Sequence, residues 1–207
     1  MKTVKGYWFS RNDVLPHGDD RPIVVGESHH IKGDIIPCVR GLHASRKPME
    51  ALRYAPGEIL WRVELFGWIL PHHDDKFVAS DRRYLWRLDA GKLLRTFARK
   101  CALDVIHLWD APDIVVRYLK TGDESLREAA GIAARSASWG KTWPEAPYGA
   151  RDASICATTW ELSKDASWEA SWLASRSGSK LNMDVVTEKH SRRLLSLISA
   201  ERKRQSS

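Results

Sequence analysis

The segment PHHDDK, residues 71–76, sets His72, His73, Asp74 and Asp75 side by side. Imidazole and carboxylate groups are common ligands of zinc and related ions. Neighbours in an extended strand point to opposite faces, so the four cannot all reach one ion from a strand. The simpler reading is a turn closing a strand, and no metal is assigned. His29 and His30 meet the same geometric objection. Cys38, Cys101 and Cys156 are far apart and form no CxxC pair. Reduced, mostly buried thiols are therefore expected, with neither a zinc knuckle nor a disulfide framework. The chain also lacks GxSxG, GxxxxGK(S/T), HExxH and GxGxxG. That removes the commonest hydrolase, nucleotide triphosphatase, metalloprotease and dinucleotide-binding readings.

Charge and tryptophan are the other resources. The formal charge is +7, and residues 180–207 hold seven Lys/Arg against three acids. A basic end of this kind, with Arg192, Arg193, Arg202, Lys203 and Arg204, suits a phosphate backbone or an acidic partner. It also complements the dipole of a terminal helix. Ten tryptophans punctuate the chain. Trp139/Trp143 and Trp168/Trp172 are i,i+4 pairs, which share a helix face. With Trp160, they are candidates for a partner-binding surface, because Trp is enriched in interface hot spots. The alternative is a helical bundle with these rings in its core.

The elements that must position these groups fall into two halves. Residues 1–88 are rich in Gly, Pro and β-formers, and residues 89–207 in Ala, Leu and Trp. Strands are expected at 3–9, 22–26, 33–38 and around GLHAS. A short helix follows with Pro48 in its first turn, stopped by Pro56 and Gly57. The segment 58–70 is the clearest strand, with Ile59, Trp61, Val63 and Leu65 on one side and Gly67 at a bulge or bend. Asp89 is a plausible N-cap for a helix whose apolar face carries Leu94, Phe97, Ala98, Cys101, Ala102 and Val105. Further helices are expected from Asp110-Ala111-Pro112 to Gly122 and from Asp123 onward. The two prolines of WPEAPYG interrupt the helical tail and break it into two shorter helices, and a last amphipathic helix carries LLSLI. The fold class is α+β, a small mixed or antiparallel sheet head followed by an all-α, Ala/Trp-rich domain. With 43% apolar and 29% charged residues, a folded, cytoplasmic protein is expected. No apolar run approaches the roughly 20 residues of a membrane helix, so no membrane is expected among its partners.

Gly41–Leu65, GLHASRKPMEALRYAPGEILWRVEL, resembles the middle of ADP-ribosyltransferase-like domains: a strand with a small hydroxyl residue, a short helix, then a strand. The resemblance implies that His43 and Ser45 face a nicotinamide nucleotide and that Tyr54 stacks nearby. The usual Ser-Thr-Ser is replaced by His-Ala-Ser, and no Glu-x-Glu occurs; Arg11 follows the first strand, and Asp81 or Glu64 would have to serve as the carboxylate. Over nearly its full length, through ALDVIHLWDAPDIVVRYLKTGDESLREAA and an Ala/Trp-rich tail, the chain resembles an uncharacterised family encoded by phages and prophages. That resemblance implies a small accessory protein of a mobile element. Three functions are carried forward. The first is a stoichiometric binder of a host protein or nucleoprotein complex, of the kind that inhibits host defence. The second is a nicotinamide- or adenine-nucleotide binder or enzyme acting through His43, Ser45 and Tyr54. The third is a protein that forms homo-oligomers through its helical tail. No cofactor is assigned.

Overall fold

The computed structural model describes residues 2–17, 19–137, 145–160, 162–177 and 183–206. The fold is α+β, with an antiparallel sheet in the first half and helices in the second. The chain divides into two compact units, 1–90 and 91–207. The division falls just beyond the expected 88/89 boundary. Asp89 pairs with Ile59 as the last residue of a strand, and Ala90 N–H donates to Glu58 O at 3.0 Å. The first helix of the second unit begins at Gly91, so Asp89 closes the sheet and is not its N-cap.

The head contains β1 (Val4–Ser10), β2 (Ser28–His30), β3 (Leu42–Ala44), α1 (Pro48–Leu52), β4 (Ile59–His72) and β5 (Lys76–Asp89). β4 and β5 form a long antiparallel hairpin. Its ladder is interrupted between Arg62 and Val63 and between Phe66 and Ile69. Gly67 lies in the second irregularity with φ 72°, where a Cβ would collide with Asp81 and Ser80. β1 lines the free edge of β4. On the other edge of β5, β3 pairs with Phe77–Ala79 and β2 with Asp81–Arg83, one after the other. Beyond β3, Ser45 exchanges two backbone hydrogen bonds with Tyr7, at 2.7 and 2.9 Å. The path β1–β4–β5–β3 thereby returns to β1. Inside, Trp61, Val63, Leu65, Ala79 and Tyr84 pack with Leu42, Ala44, Leu15 and Ile23. The Trp61 indole N–H donates to Ser10 Oγ at 2.9 Å, giving a buried polar group its partner.

The expected strands at 22–26 and 33–38 do not form. The first has only an isolated bridge between Val14 and Pro22, the second one between Ile36 and Arg40. β-Branched residues there find no neighbouring strand, and Val24 and Val25 remain exposed. α1 follows its local signals: Pro48 opens it, and Lys47 N–H donates to Glu50 at 3.0 Å.

Closure depends on Gly6. A Cβ there would lie 2.7 Å from Ser45 O and 2.9 Å from Ala44 Cβ. Gly6→Ala is expected to destabilise the head by about 1–3 kcal/mol, the usual cost of overpacking, read as a lower denaturant midpoint.

The second unit contains α2 (Gly91–Val105), a 3-10 turn (Ile106–Leu108), α3 (Asp113–Thr121), α4 (Glu124–Ser136), α5 (Glu145–Thr159), α6 (Ser163–Ser177) and α7 (Met183–Ser206). The expected apolar face of α2 is buried as a block. Gly122 ends α3 in the left-handed conformation, and the Asp123 carboxylate accepts from Ser125 N–H to cap α4. Small residues let α5 and α6 approach closely. On α6, Ala166, Ala170 and Ala174 are buried in one row and Ser163, Ser167, Ser171 and Ser175 in the next. Ser167 Oγ donates to Leu94 O on α2 at 2.6 Å. Among the described residues no helix is long and apolar enough to cross a membrane.

Candidate functional site

The head carries an open cleft of about 1130 Å³, walled by β1, the loops that follow β1 and precede β3, β3, and the end of α1. Its defining group is Arg82. This side chain is 2% exposed, and among the described residues no carboxylate pairs with it. Nη1 donates to His43 O at 2.8 Å, and Nε and Nη2 donate to Tyr84 Oη at 3.2 and 3.0 Å. The guanidinium lies 3.8 Å over the Trp8 ring. Burial pushes its pKa below the ordinary value, yet a guanidinium remains charged. Tyr84 spends its own hydrogen on His29 Nδ1 at 2.9 Å. His29 accepts it as a neutral imidazole, because burial and the charges of Arg21 and Arg82 hold its pKa down.

Arg82 is therefore a buried positive charge compensated by dipoles and ring faces alone. Burying an ion without a counter-ion is costly, and a ligand that brings the missing charge recovers part of that cost. Arg11, Arg40 and Lys76 also line the cleft. The acids lining it, among the described residues, are Asp19 and Asp20. Asp19 is held by Arg21 at 2.5 and 2.8 Å.

His43 sits in the middle of β3 and lines this cleft. Its pKa is pushed down to about 4, first by burial and then by the positive charges of Lys76, Arg82 and His72. It is a neutral imidazole near pH 7, and its Nε2 accepts from Cys38 N–H at 3.4 Å. Ser45 is buried beside it, with its backbone joined to Tyr7. Tyr54 borders the cleft, but Lys76 Nζ lies 4.2 Å over its ring and Arg53 5.7 Å, and its hydroxyl donates to Asp75 at 2.8 Å. The ring is already in use as a cation platform. Asp81 binds His30 and Ser80, and Glu64 lies 3.9 Å from Arg83; neither lines the cleft.

Residues 20–96 match a family model described as a domain of unknown function, DUF7666. No curated protein and no solved structure matches the chain. The matched segment spans well under half of the chain. It contains β2 to β5, and with them Cys38, His43, Ser45, Lys76 and Arg82. It leaves out β1, which supplies Trp8.

Sequence reasoning missed Arg82, Trp8 and Lys76. The available signal was Asp81-Arg82-Arg83: adjacent arginines on a strand must face opposite sides, so one of them faces inward. PHHDDK closes β4 with a turn, as expected: His73 lies in the β4–β5 turn with φ 54°, and the His72 and His73 rings come within 4.1 Å. Even so, among the described residues no group of three or more His, Cys, Asp or Glu side chains is placed to hold a metal ion. Asp74 lies in the same turn and Asp75 is engaged with Tyr54.

In the helical unit, Trp160 and Trp172 are 39% and 40% exposed, and Trp168 is half-buried. Arg176 covers the Trp172 ring at 4.8 Å. Trp139 and Trp143 lie outside the described residues. Of the basic candidates on α7, Arg193 is used internally: it donates to Asp104 at 2.7 and 2.9 Å and to Lys100 O at 3.1 Å. Arg192 pairs with Glu188 and Arg204 with Glu201. Arg202 is half-buried and Lys203 exposed.

Proposed function

We propose that the head binds a phosphorylated small molecule of nucleotide size, with an anionic oxygen placed at Arg82. The observation that carries this reading is a fully buried guanidinium, without a carboxylate partner among the described residues, on the lining of an open cleft. Phosphate fits because it accepts several charge-assisted hydrogen bonds at once, and arginine is the residue suited to that recognition. The cleft is far larger than a phosphate and has Trp8, beside Arg82, on its β1 wall, which suits a ligand with a planar or sugar portion. Neutral His43 supplies a donor or acceptor without adding charge. Binding is the reading adopted here, and not ADP-ribosyl transfer. Transfer would require a carboxylate facing the ribose; of the two acids on the cleft among the described residues, Asp19 is already committed to Arg21, and Asp20 alone is left for that part.

The test is a titration of tryptophan fluorescence with AMP, ADP-ribose, NAD and inorganic pyrophosphate. Trp8, against Arg82, is the reporter. Saturable quenching by at least one phosphorylated ligand, and none by adenosine, is expected. No response to any of them at millimolar concentration overturns the reading.

A second reading rests on the helical unit. Trp160 and Leu162, between α5 and α6, Trp172 on α6 and Val185 on α7 are exposed. They support a stoichiometric binder of a host protein or nucleoprotein complex, of the phage type that inhibits host defence. Trp172→Ala is expected to lose such a partner in a co-purification from host lysate, with nuclease treatment separating protein from nucleic acid. Retention of the same partner by Trp172→Ala together with Trp160→Ala overturns it.

A further inference from the structure

The β4–β5 turn and the loop before β3 bring together a nucleophile, Cys38, and two titratable groups, His72 and Lys76, of which only Lys76 also enters the binding reading as a positive group on the cleft. Cys38 Sγ lies 3.2 Å from His72 Nε2 and 3.6 Å from Lys76 Nζ. Cys38 is exposed and held at φ 63°, a backbone conformation that a residue with a side chain seldom adopts. Its N–H is directed to His43 Nε2. Lys76 is itself positioned, since its ammonium sits over the Tyr54 ring and the Tyr54 hydroxyl is fixed by Asp75. His72 is held against His73. Two segments distant in sequence thus converge on one sulfur at the edge of the cleft. A thiol beside an imidazole that can take its proton and an ammonium that can steady the resulting charge is the arrangement of an activated nucleophile.

We propose that Cys38 is a reactive thiol that exchanges with low-molecular-weight disulfides and carries the resulting mixed disulfide. His72 takes the Sγ proton as the sulfur attacks one sulfur of the incoming disulfide. A Cys38–sulfur bond forms as the disulfide's own S–S bond breaks. The departing thiolate takes the proton from His72, leaving one mixed disulfide and one free small thiol. Oxidant and reductant are both contained in the disulfide exchange, so no further reactant is required. The other cysteines do not compete. Cys101 and Cys156 are buried, and burial pushes each thiol up to about 12. This inference rests on the Cys38 cluster and is independent of whether the cleft binds a nucleotide.

The experiment mixes the native full chain at pH 7 with 5,5′-dithiobis(2-nitrobenzoate) and follows the released aryl thiolate. Intact-mass measurement after oxidised glutathione identifies the adduct. One thiol is expected to react at least about ten-fold faster than the same thiol in the urea-unfolded chain, and Cys38→Ser removes that phase. His72→Ala and Lys76→Met are each expected to slow it by about five-fold or more, with circular dichroism and melting temperature unchanged. A Cys38 rate no faster than in the unfolded chain overturns the proposal, as does an unchanged rate in His72→Ala.

Discussion

Arg82→Met is expected to remove phosphorylated-ligand binding while leaving the head folded. The two consequences diverge because Arg82 plays opposite parts in the empty and filled cleft. In the empty cleft it is a desolvated charge without a counter-ion. It is held by three hydrogen bonds and the Trp8 face. Methionine has a similar length, fills the space against Trp8 and removes the buried charge, but leaves His43 O with one partner fewer. These effects oppose each other, and the net change in unfolding free energy is expected to stay within about 1–2 kcal/mol. In the filled cleft the same substitution removes charge-assisted hydrogen bonds worth about 1.5–3 kcal/mol, a loss of roughly 10- to 150-fold in affinity. Thermal unfolding with and without ligand separates the two. At a ligand concentration of about 100 times the dissociation constant, the unaltered head gains about 2.7 kcal/mol, and Arg82→Met at that concentration gains about 0.3–1.4 kcal/mol.

The second large effect belongs to the helical unit. Asp104 on α2 receives Arg193 at 2.7 and 2.9 Å and Lys189 at 3.1 Å from α7. His190 Nε2 lies 3.4 Å from the same carboxylate, and its Nδ1 is 2.8 Å from Ser171 Oγ on α6. Burial alone would raise the Asp104 pKa. Hydrogen bonding from His190, Arg193 and Lys189, with the charge of Arg193, outweighs burial and holds it well below the usual carboxylate range. Asp104→Ala strands a half-buried Arg193 and a buried His190. A loss of about 2–4 kcal/mol is expected, toward the lower end of what breaking a buried ion pair costs, measured by denaturant unfolding. The same network sets a pH dependence. The folded pKa is depressed, so in acid the unfolded chain takes up the proton first. The stabilisation is complete above the unfolded value of about 4 and is lost as pH falls below it toward the folded value. Asp104→Asn is expected to flatten that part of the stability profile.

Much of this architecture was legible because local and long-range signals agreed. β4 shows its alternation in Trp61, Val63 and Leu65, and Gly67 falls in the expected irregularity. The apolar face of α2 and the Gly122-Asp123 junction needed nothing beyond helical spacing and capping. The longest partner of β4 was not legible. β5 breaks its alternation at Arg82, a charged residue at an inward position, and Asp81-Arg82-Arg83 reads as a loop. β2 is polar, Ser28-His29-His30, and becomes a strand only because β5 offers it an edge. Conversely, Val24 and Val25 have strand propensity without a partner.

The site follows the same division. His43 and Ser45 were placed by resemblance, and both line the cleft. Tyr54, expected to stack nearby, borders the cleft with two cations over its ring. The charge that defines the cleft went unread for the reason that hid β5. A buried ion without a counter-ion breaks the pattern by which strands are recognised, and such breaks collect where a chain binds or reacts.

The most direct measurement is the nitrogen-15 NMR signal of the Arg82 side-chain Nε–H, assigned by its loss in Arg82→Met, followed as ADP-ribose is added to the full chain. The proposal predicts a saturable shift of that signal, together with the Trp8 indole N–H, at the concentration that quenches fluorescence. An Arg82 signal that stays fixed while ADP-ribose saturates resonances elsewhere would contradict it.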